Sequence, residues 1–160
     1  MIKPASFVLL SCLAMQSCAP QGKTAQDAPT GTGSIEGIAL VKATGQKWTA
    51  GIKGGGSGTE YTFTVAILGA EPVLFDSMDV YGTVYKPTLI KRGGPVSNEP
   101  VVPQKGDTLD LRISVRDAEP PVPKEPTTGS PQAVVRCTLN GKPARLEVAH
   151  IEMLAPRPRP

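Results

Sequence analysis

Few side chains in this 160-residue sequence are of a type that does chemistry, and they are scattered along it. The single histidine, His150, excludes a site built on several histidines. A Ser-His-Asp triad would have to use this residue as its base. His150 stands where the apolar alternation slips between Val148 and Ile151, and it reads as a surface or edge residue. Asp76, Asp79, Asp107 and Asp110 could offer oxygens to Ca²⁺, but they lack the fixed spacing of a calcium loop. Asp107 reads instead as a turn residue and Asp110 as facing water. The run Gly54-Gly55-Gly56-Ser57-Gly58 has the composition of a phosphate cradle. Thr59-Glu60 follows it, where a cradle needs Lys-Ser/Thr or the start of a helix, so it reads as a flexible loop. Trp48, Tyr61, Tyr81 and Tyr85 could line a sugar-binding face, although Tyr61 shares strand parity with Phe63 and Val65 and reads as core. No catalytic set, metal site or cofactor site is assigned.

Three cysteines remain. Cys137 lies in the alternating run Ala133 to Leu139, in step with Val135 and Leu139. It reads as a small buried apolar residue rather than a reactive thiol, since nothing near it in sequence would activate it. Cys12 and Cys18 belong to a different kind of segment. Lys3 is the only charge before Lys23, and an apolar core follows at Phe7 to Leu10 and Leu13 to Met15. Small Ser17 then precedes Cys18. These are the features of a secretory signal over residues 1–17. Its apolar stretch falls short of the ~20 residues that cross a bilayer as a helix.

Met15-Gln16-Ser17-Cys18 resembles the lipobox of bacterial lipoproteins, in which the cysteine becomes the first mature residue and is acylated. The competing reading is an ordinary signal whose cysteine is incidental. Leu9-Leu10-Ser11-Cys12 also resembles a lipobox, but cleavage there would leave only a few apolar residues and would place Leu13 to Met15 in the mature chain. Cys18 is therefore the expected lipidation site, and Cys137 would be left without a disulfide partner. Each buried CH₂ contributes about 0.8 kcal/mol, so two or more acyl chains would make the membrane a durable partner. Ala19, where an inner-membrane retention signal would have Asp, is similar to outer-membrane lipoproteins, at the periplasmic face or the surface, and the lack of an acidic cluster after Cys18 favours the periplasmic face.

Three further stretches resemble small lipoproteins of unknown function from Bacteroidetes-type bacteria. They are Gly56 to Phe63, Phe75-Asp76-Ser77 and Lys105 to Leu109. The resemblance implies a compact β domain on a lipid anchor and brings no catalytic residue with it.

The elements that would carry these residues are strands. Residues 18–33 are polar, with no apolar period, and form a tether that spans roughly 20 Å at about 5–6 Å × √n. The domain proper is expected over residues 34–155. High glycine and proline content favours short strands and many turns over helices. Strands are expected at Ile35 to Ala43, at Gln46 to Ile52 after a Thr44-Gly45 turn, and at Glu60 to Leu68. Val73 to Tyr85 reads as one long run with a bulge near Asp76-Ser77. Thr88 to Lys91 and Thr108 to Arg116 follow, the latter with Leu109, Leu111, Ile113 and Val115 on one face. Arg92 to Gln104 and Asp117 to Pro131 read as irregular loops. Gln132 to Leu139 and Lys142 to Leu154 flank Asn140-Gly141, a type I′ hairpin signal. Residues 156–160 complete a polyproline-like tail, where Arg157 and Arg159 either fray or touch anionic lipid or polysaccharide.

About eight strands with one wet face predict an all-β fold, an antiparallel β-sandwich of immunoglobulin-like type, with a small barrel as the alternative. The net charge of +3 is small and evenly spread along the sequence, which argues against a nucleic-acid footprint. The functional expectation is a lipid-anchored, non-enzymatic cell-envelope domain that binds or scaffolds an envelope protein or glycan. A carbohydrate- or peptide-binding accessory module is the alternative, and an envelope hydrolase using His150 or the aspartates is a third.

Overall fold

A computed structural model describes residues 33–52, 55–94, 100–117 and 130–159. The expected signal over residues 1–17, the expected lipidation site Cys18 and the expected tether up to residue 32 lie outside the described residues. Ten strands and no helix are found among those described: β1 Ser34–Ile35, β2 Ile38–Ala50, β3 Ser57–Ile67, β4 Val73–Val80, β5 Thr83–Tyr85, β6 Thr88–Lys91, β7 Thr108–Arg116, β8 Ala133–Leu139, β9 Lys142–Val148 and β10 Glu152–Arg159. They form two sheets. Sheet A has the order β1-β2-β3-β7-β6, with β10 also paired to β2, and sheet B has the order β5-β4-β8-β9. Every pairing is antiparallel except β10 beside β2, which is parallel.

The two sheets form a β-sandwich because each presents an apolar face that water would penalise. Sheet A contributes Ile38, Leu40, Phe63, Val65, Ile67, Leu109 and Leu111, and sheet B contributes Val73, Phe75, Met78, Val80, Val135, Leu146 and Val148. Alternate residues of each strand point inward, so one face is buried and the other stays free for polar groups. The expected strands β6 and β7 occur with the bounds read from sequence, and the bulge lies between Phe75 and Ser77 as expected. Asn140 and Gly141, at φ 48° and 74°, make the expected hairpin turn.

Four expectations are corrected. Thr44-Gly45 does not turn: β2 runs unbroken from Ile38 to Ala50. A bulge between Leu40 and Lys42 shifts the alternation, which made the strand look like two. Gly45 is needed there because a Cβ would stand 3.1 Å from the Tyr61 ring. Second, the run Val73 to Tyr85 is split by a tight turn at Tyr81-Gly82, with φ 51° and 85°, and Asp79 Oδ1 accepts the Gly82 N–H at 2.9 Å. Tyrosine carries no turn signal in sequence, and a bulky residue at positive φ is uncommon. Third, Ser57-Gly58 belongs to β3 rather than to a glycine loop.

The fourth correction concerns the C-terminus. The expected strand Lys142 to Leu154 ends at Val148. The chain then bends at Ala149-His150, anchors through buried Ile151, and crosses to sheet A as β10. Gln132 Oε1 holds the crossing by accepting the Ile151 N–H at 2.7 Å. The Pro/Arg segment is thus a paired strand as far as Arg159, not a fraying tail. Its prolines lack N–H donors, and an edge position tolerates that. β1 covers the outer edge of β2 at Ile38 and Ala39, and β10 covers it from Thr44 onward, which leaves a short stretch of that edge to template aggregation.

Leu111 is fully buried between the sheets, whereas Leu68 is 59% exposed. Leu111→Ala is expected to cost about 2–5 kcal/mol in urea unfolding and Leu68→Ala no more than about 0.5 kcal/mol. Equal effects would contradict this placement of the core.

Candidate functional site

Two features of the sandwich could bind something. The first is a cleft of about 600 Å³ at one end. Three turns surround it: Glu36-Gly37 after β1, Gly69 to Glu71 between β3 and β4, and the β8–β9 hairpin. Ile35, Val73, Leu139 and Pro143 give it apolar walls, and Glu36, Glu71 and Lys142 give it charges of both signs. The first two turns lie close because the N–H groups of Leu68 and Gly69 both donate to the Gly37 carbonyl, at 2.8 and 3.0 Å. A Cβ on Gly37, whose φ is +77°, would come 3.3 Å from the Gly69 Cα. The volume and the mixture of apolar wall with a few polar groups suit a small ligand or the end of a chain.

The second feature is the outer face of sheet A. Thr64 and Asp110 are directly paired across β3 and β7. Asp110 was expected to meet water. It does point outward, but it is only 4% exposed. The Thr64 hydroxyl donates to Asp110 Oδ1 at 2.8 Å, and Arg92 Nε donates to the same oxygen at 2.8 Å. Arg92 Nη2 also donates to Thr64 Oγ1 at 3.1 Å, which closes a triangle, and Arg112 Nη2 lies 3.4 Å from Asp110 Oδ2. Arg92 reaches this cluster from the residue after β6, so the burial of Asp110 is a non-local event.

Four residues away along β3, on the same face, Glu60 gathers a second cluster. Its Oε2 accepts from Arg157 Nη2 at 3.0 Å and also from Arg159 Nη2. The Arg159 guanidinium lies 4.6 Å from the centroid of the Trp48 ring, a cation–π contact. Trp48 is paired with Gly58, where a Cβ would stand 2.7 Å from the ring. Glycine is therefore what lets the indole lie flat on the sheet. Trp48 is 4% exposed, so it is no open platform for sugar stacking. Its Nε1 is buried without a hydrogen-bond partner among the described residues.

The other aromatics do not join it. Tyr61, Tyr81 and Tyr85 pack against the core, with Tyr61 and Tyr81 edge-on at 6.2 Å. Burial raises the pKa of both Tyr61 and Tyr81, and the neighbouring Tyr81, Tyr85 and Asp117 raise Tyr61 further. Each aspartate has its own work. Asp76 accepts from Thr138, Asp79 caps the β4–β5 turn, and Asp107 pairs with Lys91 at 2.8 Å. That contact, with the Gln104 N–H, holds the Asp107 carboxyl below the usual range. No group of three metal-ligating side chains occurs among the described residues. His150 is exposed in the bend between β9 and β10, and it does not line the cleft. Cys137 is buried as expected, and burial, aided by Asp76, pushes its thiol up to about 11. The cleft has no signature in sequence because its three turns are far apart along the chain.

No protein-family model matches the chain, and no curated protein or solved structure matches it.

Thr64→Val keeps the side-chain shape but removes the donor to buried Asp110. It is expected to cost about 1.5–3 kcal/mol in urea unfolding, the range for a hydrogen bond to a charged group. No change would show that the triangle is slack. The raised Cys137 value stabilises the fold below pH ~9, its ordinary pKa, and that contribution is lost as the pH rises through about 11. Tyr61 and Tyr81 act in the same direction. Unfolding free energy should therefore fall between these pH values, and Cys137→Ala should flatten part of the fall. An unchanged pH slope in that variant would contradict the burial effect.

Proposed function

We propose that this chain is a lipid-anchored cell-envelope protein whose β-sandwich binds a ligand without transforming it. Acyl chains on Cys18 would hold it to the outer membrane at the periplasmic face, with residues 19–33 as the tether. The observation that carries the binding role is the cleft of about 600 Å³ framed by turns at one end of the sandwich. Turns on a rigid β scaffold are where binding residues concentrate.

The strand order supports an immunoglobulin-like reading of the sandwich. β2-β3-β7-β6 faces β5-β4-β8-β9, which follows the pattern A-B-E-D against C′-C-F-G. On that reading the cleft lies between the B–C and F–G connections, the end at which variable immunoglobulin domains bind. This is an argument by analogy of fold, and the chemistry of the cleft has to carry the ligand. Its apolar walls with Glu36, Glu71 and Lys142 suit a peptide or a short glycan of the envelope. The non-enzymatic part rests on the separate engagement of the acid–base groups: Asp76, Asp79, Asp107 and Asp110 each have a partner away from the cleft.

Both parts are testable. Intact-mass spectrometry of the chain from cells, with and without the signal-peptidase inhibitor globomycin, should find Cys18 as an acylated N-terminus that the inhibitor abolishes. A chain beginning at Ala19, or an unmodified Cys18 thiol, would refute the anchor. Binding to an array of envelope peptides and oligosaccharides should fall about tenfold or more when Ala144→Arg fills the cleft, a loss of about 1.4 kcal/mol or more. Turnover of any arrayed compound would refute the non-enzymatic reading.

A further inference from the structure

The outer face of sheet A collects charge that looks evenly spread in the sequence. The alternation of β2, β3 and β7 sends Lys42, Arg112 and Arg116 outward, Arg92 arrives after β6, and β10 lays Arg157 and Arg159 on the same side. Five of the seven arginines in the chain thus share one face. Among the described residues, three carboxylates lie with them: Glu60, Asp110 and Glu152. Its described residues therefore carry an excess of three positive charges, equal to the net charge of the whole chain. The other outer face holds the remaining pair, Arg136 and Arg145, opposite each other on β8 and β9.

Burial separates the signs further. The side chains of Asp110 and Glu60 are 5% and 15% exposed, while those of Arg112 and Arg157 are 43% and 45% exposed. Asp110 and Glu60 lie beneath and the guanidinium groups lie on top, while Glu152 is as exposed as its partner Lys42. Each guanidinium has five N–H donors, and the clusters occupy only one or two of them on each arginine. Glu60 and Asp110 thus position the arginines without saturating them. Glu60 and Thr64, which mark the two clusters on β3, are four residues apart, about 13 Å along the strand. Between them lie Thr44 and Thr62, with Gln46 and Ser114 on either side of Glu60 in its own row, all neutral groups that can bond to hydroxyls.

We propose that this face binds an acidic polysaccharide, a linear glycan whose carboxylates engage the two arginine clusters while its hydroxyls meet the neutral row between them. Charge complementarity and the planar, bidentate geometry of arginine toward carboxylates favour this occupant. The neutral row distinguishes it from a surface that needs only point charges. The site is separate from the end cleft. An occupant outside the cytoplasm rests on the export reading, and the mass-spectrometric test of the anchor fails or succeeds independently of the binding test.

The experiment uses the full chain in neutral detergent, with polygalacturonate as probe. Neutral dextran, duplex DNA and phosphatidylglycerol vesicles serve as comparisons, all by isothermal titration at low and physiological salt. Polygalacturonate should bind, dextran should not, and the affinity should fall with salt. Arg112→Gln and Arg157→Gln should each weaken binding about tenfold, about 1.4 kcal/mol. Arg136→Gln with Arg145→Gln removes equal charge from the opposite face and should leave binding unchanged. Arg116→Gln, at an exposed strand end, repeats the test should the Arg157 variant lose its fold. Absent binding, or equal losses from both faces, would overturn the proposal. Tighter binding to vesicles or DNA than to polygalacturonate would also overturn it, by assigning the face to a lipid or nucleic-acid surface.

Discussion

The structure depends on one constraint: the inward faces of two sheets must bury each other, so every second residue of the long strands is assigned a side before any function is considered. Phe63, Val65, Leu109 and Leu111 go in, which sends Thr62, Thr64, Asp110 and Arg112 out. A charge placed between the sheets would cost several kcal/mol, so charged residues in the strands collect on the outer faces. Bulges are the only way to change sides within a strand. The one between Leu40 and Lys42 turns Thr44, Gln46 and Trp48 outward, and so decides what the outer face of sheet A offers.

The last strand has the largest consequences for that face. Without β10, the outer edge of β2 beyond Thr44 would be open and Glu60 would lack its two arginines. The strand is held mainly by polar ties: Lys42 with Glu152 at 3.1 Å, Gln46 Nε2 to the Ala155 carbonyl at 2.9 Å, and the Gly51 N–H to the Arg159 carbonyl at 2.7 Å. Exposed ion pairs contribute little one by one, up to about 1 kcal/mol. Here they act with a continuous backbone pairing and with the cation–π contact on Trp48. At the start of the described residues, Ile35 and Glu36 both line the cleft.

Much of this was legible in the sequence where alternation ran undisturbed. β7, the Asn140-Gly141 hairpin, the bulge in β4 and the burial of Cys137 follow from period 2 and turn chemistry alone. The failures occur where a local rule met a non-local contact. Thr44-Gly45 has turn composition, but its glycine answers to the Tyr61 ring and to Met153. The Pro-Arg repeat has the composition of a loose tail, but each arginine finds Glu60, almost a hundred residues earlier. Asp110 has the parity of a surface residue, and only the arrival of Arg92 buries it. The charged face and the cleft are both products of assembly, which a reading along the chain does not add up.

The most direct measurement is residue-resolved hydrogen exchange of the folded chain in neutral detergent. The account predicts that the hydrogen-bonded amides of Thr44–Ala50 and of the non-proline residues in Glu152–Arg159 are protected together, slower than the turns and faster than the central strands β3 and β7. Exchange of Glu152–Arg159 at the rate of an unstructured peptide would contradict it, because the segment would then be a tail and sheet A would lack the strand that assembles its outer face.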